Sequence, residues 1–180
     1  MRKAGFPRRR GTLALSADRH ILEADLEVIQ SLDEQIDRLQ QEMDEIAATW
    51  SETQLLMTVP GIGPCLAMTI AAEVGEIERF DNKKQVVSYA GLDPRVRQSG
   101  EKETTDAITK EGPPVLRWAL GQAALNVMKY DSHLGNYYSR MKDRKHNQKA
   151  LVATARKLLV WIYAMLTKEE EYDPPKVTHG

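Results

Sequence analysis

At 180 residues the chain is long enough for one domain with a proper core and an extension, and its lone cysteine, Cys65, excludes a disulfide framework and suits a reducing compartment. Its formal net charge of −1 hides segregated segments, a pattern compatible with nucleic acid without requiring it. Neither a bilayer-spanning stretch nor a secretory h-region is expected, which argues against a membrane partner.

Residues 1–15 carry five bases and no acids. They lack the amphipathic apolar content of a transit peptide and are expected to form a frayed basic arm. From about 17 to 50 the pattern predicts one long helix with Ser16 as N-cap and acids dense in its first turns. Its apolar residues Ile29, Leu32, Ile36, Leu39, Met43, Ile46 and Trp50 alternate strictly by three and four. That is a coiled-coil seam too narrow to bury itself. It needs a partner helix, from a second copy or from the same chain.

Two short helices, about 52–58 and 64–74, flank Val59-Pro60-Gly61-Ile62-Gly63-Pro64. Glycines two apart at the start of a helix leave backbone N–H groups open to a phosphate oxygen, the logic of a helix-hairpin-helix. An ordinary tight turn uses the same residues. Gly75 suits the C′ position of the second helix. Asp81 is a candidate cap for a short helix over 83–89, which Ala90-Gly91-Leu92-Asp93-Pro94 ends.

Residues 95–112 have no helical period. Arg95-Val96-Arg97 and Thr104-Thr105-Asp106-Ala107-Ile108 alternate enough to predict a two-stranded ribbon joined through 98–102. Gly112-Pro113-Pro114 then opens a helix over about 115–129, followed by helices near 132–142 and 148–167. The acidic segment 169–180 is expected to stay loose, unable to pack. The expected fold is therefore mainly helical: a basic arm (1–15), a coiled-coil helix (16–51) and a compact helical domain (52–168) holding the hairpin and the ribbon.

Ser99 lies in a polar, glycine-flanked loop with Arg95, Arg97 and Lys102 close in sequence. Cations that stabilise an alkoxide and the charge developing on phosphorus can activate a serine without a histidine. Ser-Gly is also common turn chemistry. Lys110 and Arg117 flank the break at 112–114 and can face the same loop, or Lys110 can be a solvated turn residue. A second basic stretch contains Arg140, Lys142, Arg144, Lys145, Lys149, Arg156 and Lys157, able to track a nucleic-acid backbone or simply to be solvated. The four histidines show no metal-ligand spacing, and Glu73, Asp81, Asp93 and Asp106 share no helical face, so no metal site is expected in this chain.

In order along the chain, Leu55-Leu56-Met57-Thr58-Val59-Pro60-Gly61-Ile62-Gly63-Pro64, Ser88-Tyr89-Ala90-Gly91-Leu92-Asp93-Pro94, Arg97-Gln98-Ser99-Gly100, Ile108-Thr109-Lys110-Glu111-Gly112 and Leu116-Arg117-Trp118-Ala119-Leu120 resemble a known family. The closing Lys149-Ala150-Leu151-Val152-Ala153-Thr154-Ala155-Arg156-Lys157-Leu158-Leu159 is similar as well. The family is that of the insertion-sequence transposases numbered one hundred and ten, one hundred and sixteen and nine hundred and two, the bridge-RNA-guided serine-type recombinases. The resemblance covers roughly residues 20–168.

It implies DNA transposition, with Ser99 at the nucleophile position that forms a phosphoserine link to DNA. It also implies a coiled coil that assembles the complex as a homo-oligomer, and a cytoplasmic, nucleoid-associated protein. Gly61, Gly63, Arg95, Arg97, Lys110, Arg117, Arg156 and Lys157 would then contact DNA or a guide (bridge) RNA. The family's RuvC-like domain, whose acids bind magnesium, has no counterpart before residue 16. The chain is therefore expected to be a C-terminal portion, inactive alone if Ser99 depends on that site. Glu101 and Glu103 depart from the more neutral or basic residues usual after the serine. The rival expectation is a non-catalytic helix-hairpin-helix module that binds nucleic acid and dimerises through its coiled coil.

Overall fold

Apolar residues at three-and-four spacing become helices wherever glycine and proline do not interrupt them. The computed structural model describes residues 10–99, 102–108 and 111–173, with side chains described for 18–93 and 111–173. Its helices are α1 (Arg10–Ala47), α2 (Ser51–Met57), α3 (Pro64–Val74), α4 (Lys83–Tyr89), α5 (Pro114–Tyr130), α6 (Ser132–Arg144) and α7 (Asn147–Lys168), with a 3-10 turn at Ile77–Arg79. Strands β1 (Pro94–Ser99) and β2 (Lys102–Ile108) pair antiparallel. The chain divides into two units, 1–42 and 43–180.

In the first unit α1 begins at Arg10, upstream of the expected start. Ser16 therefore lies inside the helix and is not its N-cap. Helix propagation gains one bond per residue fixed, and the Leu13-Ala14-Leu15 run favours continuing over capping. Ile29, Leu32, Ile36 and Leu39 are each more than half exposed.

In the second unit α7 is the central helix, packed against α2, α4, α5 and α6, while α5 also packs on α3 and α6. Leu116, Leu120 and Val127 of α5 meet Leu158, Trp161 and Ile162 of α7 in one core with Leu56, Ile70 and Val86. Burial of each such side chain contributes about 1.5–3 kcal/mol. This arrangement corrects the expectation that no stretch is long enough to cross a bilayer. By length and composition α7 is, and half of its most apolar window is buried inside the protein. A helix surrounded by others needs apolar residues on most sides, and α7 has them for that reason.

Side chains tie the short elements down. Thr53 donates its hydroxyl to the carbonyls of Ala47 and Trp50, joining the start of α2 to the end of α1. The N-cap of α4 is Asn82, whose Oδ1 accepts from the amides of Lys84 and Gln85. Asp81, the expected cap, instead exchanges hydrogen bonds with the Gln85 side chain. Tyr89 at the end of α4 donates to the Glu73 carbonyl, and Tyr163 of α7 to that of Phe80. The Arg79 guanidinium lies 4.5 Å over the Phe80 ring and 4.4 Å over that of Tyr89.

The chain reverses after α7 through Glu169, which takes a left-handed conformation (φ 53°). The expectation of a tail unable to pack is corrected at Tyr172. Its amide donates to Thr58 Oγ1 at 2.9 Å and its ring lies 5.9 Å from that of Trp161. An aromatic ring recovers enough buried apolar surface to order the few polar residues before it. Residues 174–180 lie outside the described residues.

Candidate functional site

The site builds up from the foot of the ribbon. Register pairs Ser99 with Lys102, Arg97 with Thr104 and Arg95 with Asp106. Alternation along a pleated strand puts positions 95, 97 and 99 on one side, with 102, 104 and 106 across from them. The ribbon thus gathers at backbone level the positions of two arginines, a lysine and the candidate serine. The side chains of Arg95, Arg97 and Ser99 lie outside the described residues, as does all of Lys110.

Arg117 and Arg156 sit at the ribbon's foot. Arg117 Nη1 donates to the carbonyls of Gly112 and, at 3.4 Å, Ala90, which bracket the ribbon in sequence. Arg156 Nη2 lies 3.4 Å from Asp93 Oδ1, immediately before β1, with both side chains partly exposed. At that exposure the pair contributes little to global stability and acts chiefly on local geometry. Asp93 thus pairs the residue before β1 with α7.

The α2–α3 turn treats its two glycines differently. Gly61 has φ +96°, and a Cβ there would lie 2.9 Å from the Asn126 carbonyl carbon and 3.0 Å from the Val127 amide nitrogen of α5. Its lack of a side chain is used in packing turn against helix. Gly63 is the exposed N-cap of α3, and a Cβ there would meet nothing within 4 Å. Pro64 follows at the first helical position, and the first bond into the helix runs from the Ala67 amide to the Gly63 carbonyl. The amides of Cys65 and Leu66 come before any intrahelical acceptor, so this end of α3 can receive an anion.

Lys157 occupies neither feature. Its ammonium lies 4.5 Å over the Tyr137 ring and 5.4 Å from that of Trp161. Burial first, and then the Arg140 charge, lower its pKa, against the opposing pull of Asp131. Asp131 is itself buried and caps α6 by accepting from the Leu134 amide at 2.6 Å. The Tyr172 hydroxyl is buried against the Asp131 carboxylate short of regular hydrogen-bond geometry, and burial with that negative charge pushes its pKa above the tyrosine range. Among the described residues no three of His, Cys, Asp and Glu gather to hold a metal ion.

The roles of Asp93, Gly91 and Tyr172 were missed from sequence. The Gly91 and Gly112 breaks were visible there, but their mutual contact joins residues 21 apart and leaves no local pattern.

Residues 53–139 match the family model described as transposase, IS116/IS110/IS902 family. The transposase for insertion sequence element IS1111A of Coxiella burnetii is 30% identical over 144 residues, 78% of this chain and 40% of that protein. A probable family 20 transposase of Pseudomonas aeruginosa is 29% identical over 81% of this chain and 44% of its own length. The pilin gene-inverting protein of Moraxella bovis is 32% identical over 66% of this chain and 38% of its own length. The chain thus spans about two fifths of the length of these curated relatives.

The two glycines make a paired prediction. Gly61→Ala should lower unfolding free energy by about 2 kcal/mol or more, through strain and a backbone clash. Gly63→Ala should cost about 1 kcal/mol or less. Urea unfolding followed by circular dichroism measures both, and equal losses would contradict the assignment of Gly61 to packing.

Proposed function

We propose, from the match of residues 53–139 to the IS116/IS110/IS902 transposase family model, that the chain serves DNA transposition with Ser99 as nucleophile. The observation that carries this reading is the ribbon register, which pairs the position of Ser99 with that of Lys102, with the positions of Arg97 and Arg95 following at two-residue intervals along the same strand. Ser99 Oγ attacks the phosphodiester phosphorus. An Oγ–P bond forms, the bond to the leaving strand breaks, and that strand departs as a hydroxyl carrying the proton. The diester is conserved as phosphoserine, so a second strand's hydroxyl can reverse the step and join without an external energy source. The neighbouring cations offset the charge developing on the phosphoryl oxygens.

DNA is held in this proposal by the open start of α3 and by the basic α6–α7 region, with a guide RNA as a second nucleic-acid partner. The protein works in the cytoplasm, at the nucleoid. The exposed seam of α1 supports self-association, since a stripe of Ile29, Leu32, Ile36 and Leu39 left in water gains by pairing with a second copy.

In a transposition-competent protein containing this sequence, Ser99→Ala should abolish covalent protein–DNA adducts on denaturing gels and leave DNA Kd within about twofold. Adducts that persist would overturn the serine assignment. Binding without adducts in the parent protein would favour the non-catalytic hairpin module. Leu32→Asp with Leu39→Asp should convert the protein to monomer in sedimentation equilibrium, and a parent that is already monomeric would contradict self-association through α1.

A further inference from the structure

Two passes of backbone meet at the foot of the ribbon with no room between them. Gly91 has φ +65°, and a Cβ there would lie 2.8 Å from the Gly112 amide nitrogen and 3.0 Å from Arg117 Nη1. A Cβ at Gly112 would lie 1.9 Å from the Tyr89 carbonyl oxygen and 2.7 Å from the Ala90 carbonyl carbon. Arg117, projecting from α5, spans this junction: one guanidinium nitrogen donates to a carbonyl on each pass. The Asp93–Arg156 pair fastens the β1 side of the same junction to α7. The first pass is anchored in turn by buried Ala90 and Leu92 and by the Tyr89 hydrogen bond to Glu73. The two strands pair with each other, and both join the helical body at this foot.

We propose that Arg117 is a positioning residue: its guanidinium clamps both feet of the ribbon and, with the Asp93–Arg156 pair, sets the direction in which Ser99 is presented to a phosphodiester. The catalytic half of this statement rests on the Ser99 reading above. The clamp itself does not. A planar guanidinium can serve two carbonyls in fixed directions, whereas a lysine ammonium is a point charge on a flexible stem. On this account Arg117 and Arg156 act through the ribbon rather than as phosphate contacts. In-line attack tolerates little misplacement, and an error near 1 Å is enough to slow it about 100-fold.

The test uses the full chain in a Cys65→Ser background, spin-labelled at Thr104→Cys on the ribbon and Ser139→Cys on α6. Pulsed electron–electron resonance then gives the ribbon-to-helix distance distribution. Arg117→Ala should broaden it, Arg117→Lys should fail to restore it, and Asp93→Asn should broaden it to a smaller extent. Asp93→Asn leaves the core untouched and decides the matter if Arg117→Ala does not fold. Distributions as narrow as the parent's in Asp93→Asn and in any folded Arg117 variant would overturn the proposal. In parallel, in a transposition-competent protein containing this sequence, Arg117→Ala should slow adduct formation about 100-fold while DNA Kd changes less than about threefold. Loss of binding in step with rate would instead make Arg117 a direct DNA contact and overturn it. Broadening without any adduct in the transposition-competent parent would sink the Ser99 reading while the clamp stands.

Discussion

The contact on which this architecture turns is the one between the backbones at Gly91 and Gly112. Two passes that close admit no Cβ on either side, and Gly91 additionally needs a conformation that other residues adopt at a cost. The ribbon that carries Ser99 begins and ends at that junction. The chain leaves the helical body there, runs out along β1, returns along β2 and re-enters at α5. Arg117 works at this point because the junction brings carbonyls from both passes within reach of one guanidinium.

The helical body carries that junction between α4 and α5. Its core is built on α7, whose apolar residues face helices on several sides, and α5 bridges α7 to α3. Gly61 lets the α2–α3 turn sit directly on the backbone of α5, so the open start of α3 and the ribbon foot are both referenced to the same helix. A phosphate-binding helix start and a strand-borne nucleophile would need such a shared frame to act on one backbone. The division of labour among the cations follows. Arg117 and Arg156 are occupied in holding the ribbon, and Lys157 rests over aromatic rings at a lowered pKa. The proposed role in meeting phosphate then falls to the ribbon's own Arg95 and Arg97.

Much of the helical layout was legible in the sequence because helices announce themselves locally. Gly75, the Pro113-Pro114 pair and the three-and-four spacing of α5 and α7 mark ends and faces from residues a few positions apart. Starts were less legible. Ser16 looks like a cap yet lies inside α1, and Asp81 lost the cap of α4 to Asn82, because neighbouring cap-competent residues differ only by geometry that spacing does not encode. The grouping of Ser99 with Arg95 and Arg97 follows from their two-residue spacing. The tasks of Arg117, Arg156 and Tyr172 do not, since each depends on a partner far away along the chain: Ala90, Asp93 and Thr58. A positive charge near a candidate nucleophile suggests phosphate until the carbonyl or carboxylate that it meets is known.

Amide hydrogen exchange on a Gly112→Ala variant addresses the junction most directly, because the added methyl would fall 1.9 Å from the Tyr89 carbonyl oxygen and must push the two passes apart. Amides of 94–99 and 102–108 should lose protection while those within α5 and α7 keep theirs. Unchanged protection across the ribbon would contradict the account, and so would an equal loss through the helices.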